Sequence, residues 1–245
     1  MKTQIVSITV ALLFVCHSPA NANEITVFSS SFDSTIPSEI SPGTATITGV
    51  QGYAGLGPVG NQFGGSFLRS ETANPVTLTL TGLPTHTAIS LAFLFAAIDS
   101  LDGTGIFPAG DFFHITLDGA TIFNESFANA TPDQIQSYVP PAGVELARHV
   151  DLGFSGPGGY YTDSAYNLGA DPGFSNIAHS GSSLTLQFII EGQGVQSLSD
   201  ESWAMDNLSV TVNSPNTTPD AATTSALLGM AMAGLVAVRR FAVKA

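Results

Sequence analysis

Between residues 24 and 212 apolar side chains recur at every second position, a period that a helix cannot use and a strand must. Val76, Leu78 and Leu80 interleave with Thr77, Thr79 and Thr81, and Leu184, Leu186 and Phe188 interleave with Thr185 and Gln187. Successive strand side chains point to opposite faces, so these runs predict strands with one buried and one solvated face. Ile25–Phe28, Ala45–Ile47, Ser66–Arg69, Ala88–Ala97, Phe112–Leu117, Thr121–Phe127, Val144–Leu152 and Ala204–Val212 extend the series, with Gly, Pro, Asn and Asp between them. Asp118-Gly119 is a hairpin-type turn. The expected fold is all-β: an antiparallel β-sandwich of jelly-roll type in one domain over residues 23–212. Two glycine- and tyrosine-containing stretches without alternation, Gly52–Gly65 and Gly153–Gly181, are expected to be long surface loops.

The two ends have a different character. Lys2, the apolar stretch Ile5–Cys16 and Ala20-Asn21-Ala22 form the charged, apolar and small-x-small parts of a signal peptide, a signal helix over residues 1–22 with cleavage expected after Ala22. Residues 213–220 read as a polar linker and short motif. Residues 221–245 hold an uncharged stretch from Ala221 to Val238 followed by Arg239 and Arg240. At about 1.5 Å of rise per residue that stretch is long enough for a C-terminal transmembrane helix, and the arginines keep its end on the cytoplasmic side.

Charge narrows the choice of partners. Of six basic residues only Arg69 and Arg148 fall within the domain, and of nineteen acidic residues only Asp220 falls beyond it. A domain with eighteen carboxylates, two arginines and no lysine repels phosphate, so nucleic acid is excluded as a partner. The one cysteine, Cys16, lies in the signal segment, which removes disulfides and thiol catalysis from the domain.

The remaining chemistry is carried by carboxylates and aromatic rings. Gly55-Leu56-Gly57-Pro58-Val59-Gly60 matches a dinucleotide-binding pattern in letters, but Pro58 and the lack of a following helix remove its context. The histidines at 17, 86, 114, 149 and 179 show no metal-ligand spacing, no Gly-x-Ser-x-Gly elbow is present, and no histidine has an evident acid partner. Asp99, Asp102, Asp111, Asp200, Glu201 and Asp206 cluster at strand ends. By parity Asp111 follows Phe113, Ile115 and Leu117, and Asp206 follows Leu208, Val210 and Val212, so both are expected to point inward. A buried unpaired carboxylate is costly, and a structural Ca²⁺ held by these six residues would balance the charge. The alternative is that the aspartates cap turns through backbone N–H groups. Tyr53, Tyr160, Tyr161 and Tyr166 lie in the two long loops and are candidate glycan contacts, since a ring stacks on the apolar face of a sugar. Trp203, at a strand start, is expected to pack in the core.

Two resemblances carry over to this chain. Pro219-Asp220, Leu227-Leu228-Gly229, Gly234-Leu235 and Arg239-Arg240 together resemble the VPDSG-CTERM sorting signal, a relative of the PEP-CTERM signals of Gram-negative bacteria; Thr218, Ala221 and Ala222 stand where that motif has Val, Ser and Gly. The resemblance implies export, a stage anchored in the inner membrane by the C-terminal tail, processing by an exosortase-type enzyme near Thr218, Pro219 and Asp220, and delivery to the cell surface or extracellular matrix. An ordinary single-span anchor is the other reading of the tail. Asp99-Ser100-Leu101-Asp102-Gly103, the Asp111–Gly119 strand and hairpin, Gly181-Ser182-Ser183-Leu184-Thr185-Leu186 and Asp200-Glu201-Ser202-Trp203-Ala204-Met205-Asp206-Asn207 occur in an order similar to a bacterial secreted sandwich domain found ahead of such tails, with Leu101 where that family often has Trp. That second resemblance brings a lectin-like fold and no established activity. The resulting expectation is a non-enzymatic exported protein that binds an extracellular polysaccharide, with a glycan-cleaving enzyme built on two carboxylates and a structural coat protein as alternatives.

Overall fold

A computed structural model describes residues 23–105, 109–155 and 161–214, together with residue 229. The expected signal helix (1–22) and sorting tail, including Thr218, Pro219, Asp220, Arg239 and Arg240, lie outside the described residues, as does Tyr160. Among the described residues no helix is long and apolar enough to cross a membrane.

The chain forms two antiparallel sheets. The strands are β1 (Asn23–Ser30), β2 (Ile40–Ser41), β3 (Thr46–Gly49), β4 (Ser66–Glu71), β5 (Val76–Thr81), β6 (Ala88–Asp99), β7 (Asp111–Leu117), β8 (Ala120–Ser126), β9 (Glu145–Val150), β10 (Asp163–Asn167), β11 (Ile177–Ala178), β12 (Ser183–Gly192) and β13 (Glu201–Ser214). The larger sheet runs β3-β4-β13-β6-β10-β9, with β1 added along the second half of β13 and β11 along the start of β6; the smaller runs β2-β5-β12-β7-β8. All ten expected strands are present, with boundaries shifted by a few residues, and β13 continues through Ser214 into the segment expected to be linker.

The alternating strands do what their pattern dictates. Val76, Leu78 and Leu80 of β5 and Leu184, Leu186 and Phe188 of β12 are buried between the sheets, while Thr77, Thr79 and Thr185 stay on the outer face. Trp203 is fully buried in that core, stacked near Phe95 and tilted against Phe113.

Strand β6 differs because its sequence is almost continuously apolar, and the structure covers both of its faces. Ile89, Leu91, Phe93, Phe95 and Ala97 point between the sheets; Leu94, Ala96 and Ile98 point into a second core on the far side of the larger sheet. That second core is closed by the segment expected to be the first surface loop. Tyr53 is fully buried there, in edge contact with Phe67 and tilted against Phe63, and its hydroxyl donates to the Ala97 carbonyl at 3.0 Å. Large rings in a polar-looking loop have paid-for positions only if they find apolar surface, and β6 supplies it. The second expected loop is corrected in the same way. It contains β10, buried at every position, and two short 3₁₀ turns that bury Leu168 and Phe174.

A bulge on β13 overturns one parity assignment. Asp206 pairs with Leu94 but Ser209 pairs with Ala92, so one extra residue is inserted, and Asn207 takes a left-handed φ of 51° there. Trp203 and Met205 before the bulge share the inter-sheet core with Leu208, Val210 and Val212 after it. Asp206 therefore sits with Ala204 on the opposite face, under the 51–65 segment, and not inward as counting by two implied. Its carboxylate accepts from Gly64 N at 2.8 Å and Asn207 N at 2.7 Å, while Asn207 Nδ2 donates to Asn61 Oδ1 and the Gln62 carbonyl.

Because Tyr53 anchors a core, its truncation should behave as a core change. Tyr53→Ala is expected to cost about 3–5 kcal/mol in urea unfolding, against a few tenths for a residue of a solvated loop; a cost near zero would show that the second core contributes nothing.

Candidate functional site

Where β6 ends and β7 and β13 begin, three acidic side chains converge. Asp102 follows β6, Asp111 is the first residue of β7 and Glu201 the first of β13. Asp111 has the inward parity expected of it, and Glu201 shares the parity of Trp203. One carboxylate oxygen from each of Asp102, Asp111 and Glu201 lies within 4.8 Å of the others, and the three residues are 6%, 1% and 0% exposed. Asp111 Oδ2 accepts from Asp102 N at 2.8 Å, Asp102 Oδ1 from Gln134 Nε2 at 2.7 Å, and Glu201 from Gln196 N at 2.8 Å and Gln196 Nε2 at 3.0 Å. Asp111 Oδ1 is buried and meets no amide or hydroxyl donor; the Glu201 carboxyl is the side chain that can favour its charged form, by donating a proton of its own.

Burial raises all three groups above the ordinary carboxylate range. The negative charge of Asp111 pushes Glu201 further up, and the Gln134 amide holds Asp102 back. No compensating cation adjoins them: among the described residues the ion pairs are both histidine pairs, His114–Glu191 and His179–Asp118.

Beside this cluster lies a second acidic pair. Asp163 Oδ1 accepts from Asp99 N at 3.0 Å and Oδ2 from Leu152 N at 2.7 Å, whereas neither oxygen of Asp99 has a donor. Burial lifts Asp163 to about 7 and Asp99 to about 6, with Arg69 opposing the rise of Asp99. Arg69 itself is held by Ser202 Oγ and the Leu198 carbonyl, its guanidinium 4.4 Å from the centre of the Phe154 ring. Asp200 is placed differently again: its backbone carbonyl accepts from Ser100 N and Ser100 Oγ. Of the six carboxylates singled out in the sequence, three meet, Asp99 pairs with Asp163, Asp200 acts through its backbone and Asp206 holds the segment over the second core.

The tyrosines are not gathered at a surface. Tyr53 and Tyr166 are fully buried, the latter with its hydroxyl on Gln136 Oε1 at 3.2 Å, so neither presents a ring to a ligand; Tyr161 is half-buried.

An open concave feature lies elsewhere, at the β7–β12 end of the smaller sheet. A groove of about 630 Å³ is lined there by Phe112, Asn124, Glu191 and Gln193, with Gly110 and Gly192 at its base. Phe112 pairs with Glu191 across the strands and points outward. Next to it His114 Nδ1 lies 2.7 Å from Glu191 Oε1 and His114 Nε2 lies 2.8 Å from Thr121 Oγ1, hydrogen bonds that tie three strands together. His114 is the outer strand residue its alternation implied, but the expectation that no histidine has an acid partner is corrected twice. His179 meets Asp118 at 3.1 Å and stacks on His86, with 2.7 Å between His86 Nε2 and His179 Nδ1. These partners are separated by sixty residues or more in sequence, and no local spacing announces them.

No family model matches the chain, and no curated protein matches it. Similar solved structures include a Paenibacillus sp. cycloisomaltooligosaccharide glucanotransferase complexed with cycloisomaltoheptaose, at a TM-score of 0.33 and 11% identity over 78% of this chain and 18% of that one. They also include the Clostridium thermocellum endo-1,4-β-D-xylanase 10B CBM22-1–GH10 modules complexed with xylohexaose, at 0.31 and 10% over 81% and 30%, and a Podospora anserina GH26-CBM35 β-(1,4)-mannanase, at 0.30 and 12% over 81% and 29%. The chain spans less than a third of the length of each of these three. At such scores the likenesses bear on neither ligand nor activity.

The acidic pair has a consequence for pH. Asp99 and Asp163 keep their protons in the folded state to about 6 and about 7, while in the unfolded chain they lose them near the ordinary carboxylate value. Folded protein thus binds more protons in this window, and stability falls as pH rises through it. In buffers free of divalent ions the melting temperature should drop by several degrees from pH 5 to pH 8. Asp99→Asn, which sacrifices no side-chain acceptor, should make that drop shallower; an unchanged slope would remove Asp99 as a contributor.

Proposed function

We propose that this chain is an exported surface or matrix protein whose β-sandwich binds a neutral polysaccharide along the outer face of the smaller sheet. The observation that carries this reading is the groove. An outward phenyl ring, Phe112, stands beside a carboxylate and two amides, Glu191, Asn124 and Gln193, the combination that stacks on a sugar ring and grips its hydroxyls. The threonine-rich face continuing from it offers further hydroxyls along the strands. The acidic balance of the domain favours an uncharged chain over an anionic one.

Binding is favoured over cleavage because hydrolysis by carboxylates uses two of them flanking the bond, and among the described residues lining the groove Glu191 is the one carboxylate. The converging Asp102, Asp111 and Glu201 are too deeply buried to meet a polymer.

Export follows from the ends of the chain. The signal-like segment, the VPDSG-CTERM-like tail and a domain without cysteine support secretion, an inner-membrane stage and exosortase-type processing.

Calorimetry against a panel of neutral polysaccharides should find at least one ligand, with Phe112→Ala weakening binding at least tenfold and Thr77→Ala, further along the face, much less. No ligand in the panel, or no effect of Phe112→Ala, would refute the groove reading. Secreted protein should begin at Asn23 on N-terminal sequencing, and replacing Pro219 and Asp220 by alanine should leave the protein in the inner membrane; unaltered release would reduce the tail to a plain anchor.

A further inference from the structure

We propose that Asp102, Asp111 and Glu201 form a binding site for one hard divalent cation of the calcium class, located at the junction of β6, β7 and β13 and independent of whether the groove binds a glycan. Three carboxylates alone would not establish a site. The deciding observation is Asp111 Oδ1, an oxygen of a residue 1% exposed, inside the cluster and without an amide or hydroxyl donor. Its partner oxygen is already taken by Asp102 N, and the side chain in reach of it, Glu201, is itself a carboxyl that can donate there only while it keeps its own proton. Apart from a proton that Glu201 retains, every donor that reaches the cluster among the described residues is a neutral amide, from Asp102, Gln134 or Gln196. A buried acceptor facing other acceptors is stabilised by a positive charge, and neither arginine of the domain supplies it here.

The ligand set decides the class of ion. All three side chains offer oxygen, and no histidine or cysteine joins them, which suits a hard cation and not zinc or copper. The surrounding backbone comes close enough to enclose an ion. A Cβ on Gly110 would stand 2.5 Å from the Gly103 carbonyl, and one on Gly192 would stand 2.5 Å from the Gly110 carbonyl and 3.1 Å from Asp111 Oδ1. Three chain segments thus meet around the acids only because these positions lack side chains. Of the six residues the sequence suggested for such an ion, the site uses three; Asp99, Asp200 and Asp206 have other roles.

The test is a titration of the full chain, stripped with chelator, with Ca²⁺ by calorimetry, accompanied by thermal melting with and without 1 mM Ca²⁺. Expected are one ion per chain with a dissociation constant below 0.1 mM and a rise in melting temperature of about 5 °C or more. Asp111→Asn and Glu201→Gln should each lose that ion and that rise, while Asp133→Asn, an exposed acid elsewhere, should keep both. Mg²⁺ in place of Ca²⁺ should give a weaker response. Absence of binding in the wild-type chain overturns the proposal, and so does binding that survives both substitutions, which would assign it to surface carboxylates. Should either variant fail to fold, the wild-type stoichiometry and melting response still decide.

Discussion

The pairing of β6 with β13 is the spine from which the other strands take their places. Both strands are long, both lie in the centre of the larger sheet, and their register is interrupted once, at Asn207. That single inserted residue changes which face each half of β13 presents. Before it, Glu201, Trp203 and Met205 look between the sheets and Ala204 and Asp206 look outward; after it the parity is reversed. The bulge therefore fixes two things at once. It brings Glu201 to the mouth of the inter-sheet core opposite Asp111, and it turns Asp206 and Asn207 toward the backbone of the 51–65 segment.

Charge is the second organising constraint. The domain buries Asp99, Asp102, Asp111, Asp163, Glu201 and Asp206 with only Arg69 near any of them. Three different solutions are visible. Asp206 and Asp163 each accept two backbone N–H groups, which tolerates a carboxylate in the interior. Asp99 keeps its proton to about 6 because burial outweighs the opposing charge of Arg69. The cluster of Asp102, Asp111 and Glu201 has neither enough donors nor a basic neighbour, and this contrast within one molecule sets it apart from aspartates that merely cap turns.

What could be read from the sequence and what could not has a physical pattern. Strands with one wet face, such as β5 and β12, declare themselves by alternation, and the inward direction of Asp111 followed from the same period. Strand β10 did not, because Asp163 and Ser164 are buried polar residues whose cost is met by hydrogen bonds that no local pattern encodes. The direction of Asp206 was misread since a bulge adds one residue without changing composition. Tyr53 and Tyr166 lie in segments where glycines recur and alternation is missing; the apolar surface that claims them is distant in sequence, Phe67 and the far face of β6 for Tyr53 and Phe95, Phe127 and Tyr138 for Tyr166. The meeting of Asp102, Asp111 and Glu201 likewise depends on tertiary pairing across about ninety residues.

From Leu94 to Ile98 strand β6 has no outside. Most strands of a sandwich keep one set of positions that can drift in identity so long as they stay polar, and that half of the strand is where variation accumulates. Here one parity is committed to the inter-sheet core and the other, over Leu94–Ile98, to the core beneath the 51–65 segment. Neither set is at liberty to change alone, and volume added on one side is felt on the other through a wall one residue thick. A comparison among relatives of this chain would then find β6 nearly frozen, and the groove strands β7 and β12 divided cleanly into a fixed inner half and a freely varying outer half, where recognition of different partners can evolve without disturbing the fold.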